Sequence, residues 1–313
     1  MEKISLVIIN APTATGKTAL ALELAAKYGG EIINADSMQV YRYLDIGTAK
    51  PTLEQRNLVR HHLIDVVNPD EEFNAALYAD MAREVIAKLA REKKKIFIAG
   101  GTGLYIRALT KGIIETPPVD EKIRGYYKQL GQNRGKEYIY DLLKKKDEAA
   151  ALKINPQDSV RVIRALEVLE QTGESITAKQ ARHSFADSPY NVLKIGLRIE
   201  REEIKHRIAH RTSNMLAMGL VHEVKNILNR GYKENIKSLQ SLGYRQIINY
   251  LSGDYDLAEA ERLINRDTWQ YAKRQMTWFA ADKTIQWFTP ASDNAIGREI
   301  GKFWQEADAF RTR

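Results

Sequence analysis

The chain contains no cysteine among its 313 residues. That excludes disulfide bonds and thiolate metal sites, and leaves oxygen or histidine ligands for any bound cation. No run of about 18 apolar residues occurs, so no membrane-spanning helix is expected. The N-terminus enters an apolar segment at once, without the basic-then-apolar order of a secretory leader. Internal repeats and low-complexity tails are also missing. The excess of one sign of charge is small: 48 Lys and Arg stand against 40 Asp and Glu, a net charge of +8. Such a balance leans towards a polyanionic partner without specifying one. The length leaves room for one large domain or two.

What is present is organised around Ala11, Pro12, Thr13, Ala14, Thr15, Gly16, Lys17 and Thr18. An apolar run, residues 4–10, precedes this stretch and predicts a buried parallel strand. A helical pattern over residues 19–27 follows it and stops at Gly29 and Gly30. Strand, small-residue loop, Lys-Thr and helix form the context of a phosphate-binding loop. Loop amides and the positive end of the helix make an anion site there. Lys17 would reach an outer phosphate and the Thr18 hydroxyl would hold Mg²⁺. The loop alone does not distinguish a diphosphate from a triphosphate.

Residues 31–35 predict a second strand, with Asp36, Ser37, Met38 and Gln39 just beyond it. Residues past strand carboxyl ends face the ligand crevice of a parallel sheet, although Asp36 could equally be a helix cap. Residues 61–66 read as a strand edge whose paired histidines, lacking carboxylates at ligand spacing, are structural or belong to a substrate loop. Apolar spacing predicts a helix over residues 73–91. Residues 96–99 predict another strand, closed by Gly100, Gly101, Thr102 and Gly103. Glycines there let backbone approach a ligand, and Thr102 is the turn's only hydroxyl. From 119 to 188 the pattern is helical without a convincing strand, and 13 Lys and Arg against 11 Asp and Glu leave that segment nearly neutral. Strand character returns at 192–198. A long helical region is expected over 200–230, then a helix over 257–279 and a last strand over 284–288. Arg211 is a lid arginine or a solvated one on this reading.

In order along the chain, Pro12–Thr18, Asp36–Tyr41, Asp45–Pro51, His61–Asp65, Gly100–Tyr105, Arg161–Glu167, Gly243–Gln246 and Lys273–Phe279 resemble the motifs of the tRNA dimethylallyltransferase family, also called tRNA isopentenyltransferases. The resemblance covers nearly the whole sequence. Two departures stand out: Ala11 where the family commonly has Gly, and Ala280 where it commonly has Arg. The first questions the loop's geometry, and the second removes one possible RNA contact.

The resemblance implies an α/β fold with a P-loop NTPase-like parallel core, residues 1–118 and 189–313. An all-helical insertion, residues 119–188, would clamp the anticodon stem-loop. It implies transfer of a dimethylallyl group from dimethylallyl diphosphate to N6 of the adenosine 3′ of the anticodon (position 37), in tRNAs reading codons that begin with U. The implied catalytic set is Asp36 as base, Thr102 as donor to the departing oxygen, and Lys17 and Arg211 as cations on the diphosphate. Residues 11–18 hold the donor, with Mg²⁺ at Thr18. The tRNA path would comprise Asp36, Ser37, Met38, Gln39, Thr102, Arg124, Val160, Arg161, Val162, Ile163, Arg164, Ser241, Gly243, Tyr244, Arg245, Gln246, Lys273 and Arg274. A cytoplasmic monomer with no membrane association is implied as well. Three other readings compete. A small-molecule P-loop kinase leaves the insertion without a role, and a transferase acting on free AMP or ADP leaves the C-terminal third without one. A non-catalytic RNA-binding protein does not account for Lys17, Thr18, Asp36, Thr102 and Arg211 together.

Overall fold

The computed structural model describes residues 3–114, 116–183 and 189–311. They divide into two compact units, 1–110 with 188–313, and 111–187. The expected insertion end at Ser188 lies outside the described residues.

The first unit begins with β1 (Ile4–Asn10), α1 (Lys17–Tyr28), β2 (Gly30–Asn34), α2 (Leu53–Leu58), β3 (His61–His62), α3 (Ala75–Arg91), β4 (Lys95–Gly100) and α4 (Gly103–Lys111). The second unit carries α5 (Glu121–Arg134), α6 (Lys136–Lys146), α7 (Glu148–Ala151), α8 (Ser159–Thr172) and α9 (Ile176–His183). The first unit then resumes with β5 (Tyr190–Leu197), α10 (Arg201–Ala217), α11 (Leu220–Asn229), α12 (Tyr244–Leu251), α13 (Leu257–Ala280), β6 (Ile285–Phe288) and α14 (Asp293–Arg311).

The six strands form one sheet in the order β3-β2-β4-β1-β5-β6, and every pairing is parallel. β1 lies between β4 and β5, and Leu6, Val7, Ile8 and Ile9 are fully buried. A strand covered on both faces must be apolar throughout, which is why this run does not alternate. Each such side chain stabilises the fold by roughly 1.5–3 kcal/mol. The core joins Val7, Ile9 and Phe97 of the sheet to Leu20 and Leu24 of α1 and to Ile296, Ile300 and Trp304 of α14.

Two local expectations change. The helix expected over 200–230 is broken at Gly219, whose φ of 100° interrupts the helix before α11 restarts. The strand expected over 61–66 shrinks to His61–His62, because Leu63 and Asp65 adopt left-handed backbone, φ 60° and 57°, which a strand cannot continue through.

In the second unit, Tyr127, Ile139, Leu143, Val162 and Leu166 make a separate core. Glu167 is completely buried there, accepting from Asp120 N–H at 3.0 Å and from Arg124 Nη2 at 2.9 Å, with Arg164 Nη1 at 2.9 Å.

Candidate active site

The parallel sheet places three connections at the carboxyl ends of adjacent strands: 11–16 after β1, 35–39 after β2 and 101–102 after β4. In the first, Thr15 is buried and its hydroxyl donates to Pro12 O at 2.8 Å. Ala14 and Gly16 take left-handed backbone, φ 63° and 91°, while Ala11 does not. Ala11 instead buries its methyl in the core. The loop therefore accommodates alanine at its first position, because its turns fall elsewhere.

Asp36 is half-buried, with Oδ1 accepting from Met38 N–H at 2.9 Å. The same carboxylate leaves Oδ2 without a hydrogen-bond partner among the described residues. Thr102 Oγ1 accepts from Ser37 N–H at 3.0 Å, and Thr102 N–H donates to Ala35 O at 3.1 Å. These two bonds join the second and third connections. Gln275 of α13 joins the first and third: its Oε1 accepts from Thr13 N–H at 2.9 Å and its Nε2 donates to Gly101 O at 2.8 Å. A Cβ at Gly101 would lie 2.2 Å from Gln275 Nε2, so this approach requires glycine.

Arg211 projects from α10 and donates from Nη1 to Thr13 Oγ1 at 2.9 Å. Burial lowers the Lys17 pKa from its usual value, with Asp36 opposing and Arg211 reinforcing the shift. Burial also lowers that of Arg211 against the pull of Asp36, although a guanidinium remains charged at any ordinary pH. Two cations thus sit partly desolvated beside one carboxylate, and an entering anion relieves their repulsion.

Two cavities flank the phosphate loop. The larger, about 940 Å³, is lined by Arg42, Tyr43, Ile46, His210 and Met218 among others. The smaller, about 420 Å³, is lined by Asp36, Ser37, Met38, Ser241, Tyr271 and Arg274 among others. Lys17, Thr18, Ala49, Arg211 and Met215 line both.

The remaining sequence-derived residues divide by burial. Gln39 is buried and its Nε2 is given to Thr48 O and Ala49 O at 3.1 and 3.2 Å. Tyr244 and Gln246 are buried too; Gln246 Oε1 caps Gly243 N–H at 2.9 Å and its Nε2 donates to Asp267 at 2.9 Å. Arg245, Lys273 and Arg274 are exposed, Arg245 pairing with Asp267 at 3.2 Å. In the second unit, Val162 and Ile163 are core residues on the apolar face of α8, and Val160 and Arg161 are exposed. A ligand surface there would exclude Val162 and Ile163, because their side chains are spent on packing. His61 and His62 bond to Val59 O at 2.8 Å and Glu31 at 2.7 Å, a structural arrangement.

Tyr271 was missed by sequence reasoning, and Gln275, although inside the motif Lys273–Phe279, was given no role. Burial raises the Tyr271 phenol pKa to about 12; Asp36 adds to the rise, and Thr102, Arg274 and Gln275 restrain it. The phenol is therefore protonated near neutral pH. Ile264, Thr268, Tyr271 and Gln275 recur at helical spacing, and all four line the smaller cavity.

Among the described residues no group of three or more His, Asp or Glu could hold a metal. Mg²⁺ commonly keeps several waters and takes few protein ligands beside substrate phosphates. Thr18, which lines both cavities and carries a hydroxyl, fits that limited requirement.

Comparison with known proteins places this architecture. Residues 39–282 match the family model described as IPP transferase. A protein named tRNA dimethylallyltransferase 2 from Syntrophus aciditrophicus is 52% identical over 303 residues, covering 97% of each chain. The structure of the full-length tRNA isopentenylpyrophosphate transferase of Bacillus halodurans matches with a TM-score of 0.72 at 36% identity, over 99% of this chain and 100% of that one. The structure of a eukaryotic dimethylallyltransferase acting on tRNA matches with a TM-score of 0.79 at 25% identity, over 99% of this chain and 80% of that one.

Proposed function

The chain belongs to the IPP transferase family, and from that premise we propose that it transfers a dimethylallyl group from dimethylallyl diphosphate to adenosine N6 in tRNA. The acceptor is the nucleoside 3′ of the anticodon, in tRNAs that read codons beginning with U. The observation that carries this reading is the pair of cavities sharing Lys17, Thr18 and Arg211. One site for a prenyl diphosphate and one for a base can meet over a single set of cations.

The diphosphate lies on the loop amides, Lys17 and Arg211, with its five-carbon tail in the larger cavity. The adenine enters the smaller cavity, where Asp36 stands beside the cations. An adenine in an anticodon loop has to leave its stack to be reached, and α13 offers the aromatic and basic residues Tyr271, Lys273 and Arg274. N6 attacks the first carbon of the donor, forming the N–C bond as the C–O bond to diphosphate breaks. The N6 lone pair is delocalised into the ring, so the proton is removed as the bond forms, and Asp36 Oδ2 receives it. Thr102 accepts a hydrogen bond from Ser37 N–H, which leaves its own proton to donate to the departing oxygen. Lys17 and Arg211 stabilise the charge that grows on diphosphate. Thr18 would hold a Mg²⁺ ion, which would supply further neutralisation of that charge.

The exposed side chains Arg161, Arg245, Lys273 and Arg274 supply tRNA contacts, and the helical unit binds the anticodon stem-loop. No helix among the described residues is long and apolar enough to cross a membrane. The test is mass spectrometry of nucleosides from tRNA incubated with the enzyme, dimethylallyl diphosphate and Mg²⁺. N6-isopentenyladenosine is the expected product. Modification of free AMP or ADP in preference to tRNA would overturn the choice of acceptor.

A further inference from the structure

Residues 45–50 form an irregular loop that serves as a wall of both cavities. Asp45, Ile46, Ala49 and Lys50 line the larger one; Gly47, Thr48 and Ala49 line the smaller. No strand or helix fixes this wall, and Tyr43 and Ala49 hold left-handed backbone, φ 69° and 48°, which non-glycine residues adopt only when their surroundings enforce it. Lys50 does not present a free charge to either cavity, since its Nζ is 2.6 Å from both Asp45 and Asp65. The loop therefore contributes shape; Gln39 holds its far end through Thr48 O and Ala49 O, and the position of its near end comes from outside.

It comes from Glu223, in the first turn of α11. Oε2 accepts from Asp45 N–H at 3.1 Å and from Ile46 N–H at 2.7 Å. Oε1 accepts from Gly47 N–H at 3.1 Å and from the Tyr244 hydroxyl at 2.7 Å. Three successive amides converging on one carboxylate form an anion nest, here filled by the protein's own side chain. The Tyr244 ring packs tightly on the loop: a Cβ at Gly47 would lie 2.5 Å from it.

We propose that Glu223 is a positioning residue for the transfer, fixing the wall against which donor and acceptor are aligned. The proposal rests on the reaction read above. Glu223 lines neither cavity, so it acts through the loop. Misplacement of reacting groups by about an ångström can lower a rate by about 10²-fold.

Glu223→Gln keeps the side-chain length but turns one acceptor oxygen into an NH₂ group facing N–H donors. At saturating tRNA and dimethylallyl diphosphate its single-turnover rate should fall roughly 10- to 100-fold, while KM for each substrate stays within about threefold. Amide hydrogen exchange at Asp45, Ile46 and Gly47 should accelerate. Gly47→Ala pushes the same loop from the Tyr244 side and should give the same selective loss, so it decides the matter if the first variant folds poorly. A rate within about twofold of wild type in a folded variant whose three amides exchange faster would overturn the proposal. So would a loss no larger than the unfolded fraction. Absence of transfer by the unaltered enzyme would instead sink the reading of the reaction itself.

Discussion

Two pairs of cations, one pair in each unit, are used in opposite ways. In the α/β unit, Lys17 makes no ion pair among the described residues, and Arg211 bonds only to a neutral hydroxyl, Thr13 Oγ1 at 2.9 Å. In the helical unit, Arg124 and Arg164 are both committed to the completely buried Glu167, and Arg164 Nη2 donates further to Thr116 and Pro117 at 2.7 and 2.8 Å. Desolvated cations without an ion pair await an anion; cations paired with a buried carboxylate hold a fold. Residue type alone therefore does not mark a ligand site, and the comparison can be broken at either end.

The largest effect is expected at the carboxylate beside the free cations. Asp36→Asn keeps the size, and its amide oxygen still accepts from Met38 N–H in the turn. It cannot take a proton, so single-turnover rates at saturating tRNA and donor should fall by about 10² to 10⁴, with both substrates bound nearly normally. Recovery on raising Mg²⁺ would reassign Asp36 to metal binding, and a near-normal rate would leave it only the turn bond to Met38 N–H.

Next comes Lys17→Ala, expected to lower turnover by about 10²-fold, close to 2.7 kcal/mol of transition-state stabilisation, and to weaken diphosphate binding in direct titration. Unchanged kinetics would mean the loop is only structural.

The opposite end of the comparison is Glu167→Ala. Removing the shared acceptor strands two partly exposed arginines and an amide, and should cost about 2 kcal/mol of stability in urea unfolding. Unaltered stability combined with weaker tRNA binding would show that Arg124 and Arg164 serve the ligand after all.

The smallest effect belongs to Arg161, exposed on α8 and only loosely paired with Asp158 at 3.4 Å. Arg161→Ala should raise KM for tRNA modestly, and the slope of log affinity against log salt should flatten by about 0.7 to 0.9 if one phosphate contact is lost. An unchanged slope would remove Arg161 from the RNA path.

Much of the catalytic half is legible in the order of its residues. Local chemistry fixes it: an unbroken apolar run buried on both faces, small residues at a turn, then Lys-Thr opening a helix. The carboxyl-end positions of Asp36 and Thr102 follow from the parallel sheet in the same way. The single helix expected over 200–230 fails at Gly219, where periodicity on both sides hides a backbone break that only φ reveals.

The amino-acid sequence by itself determined the α/β core, the phosphate loop, its place after the first strand and the order of motifs that joins the chain to its family. Tertiary structure alone decided which polar groups face a cavity and which face one another. Gln275 meets Thr13 across 262 positions, Arg211 meets the same residue across 198, and Glu223 meets Ile46 across 177. Hydrophobic periodicity says which side of an element is buried, but a hydrogen bond needs its partner at about 3 Å. That distance is set by the packing of α10, α11 and α13 around the loops, not by any spacing along the chain.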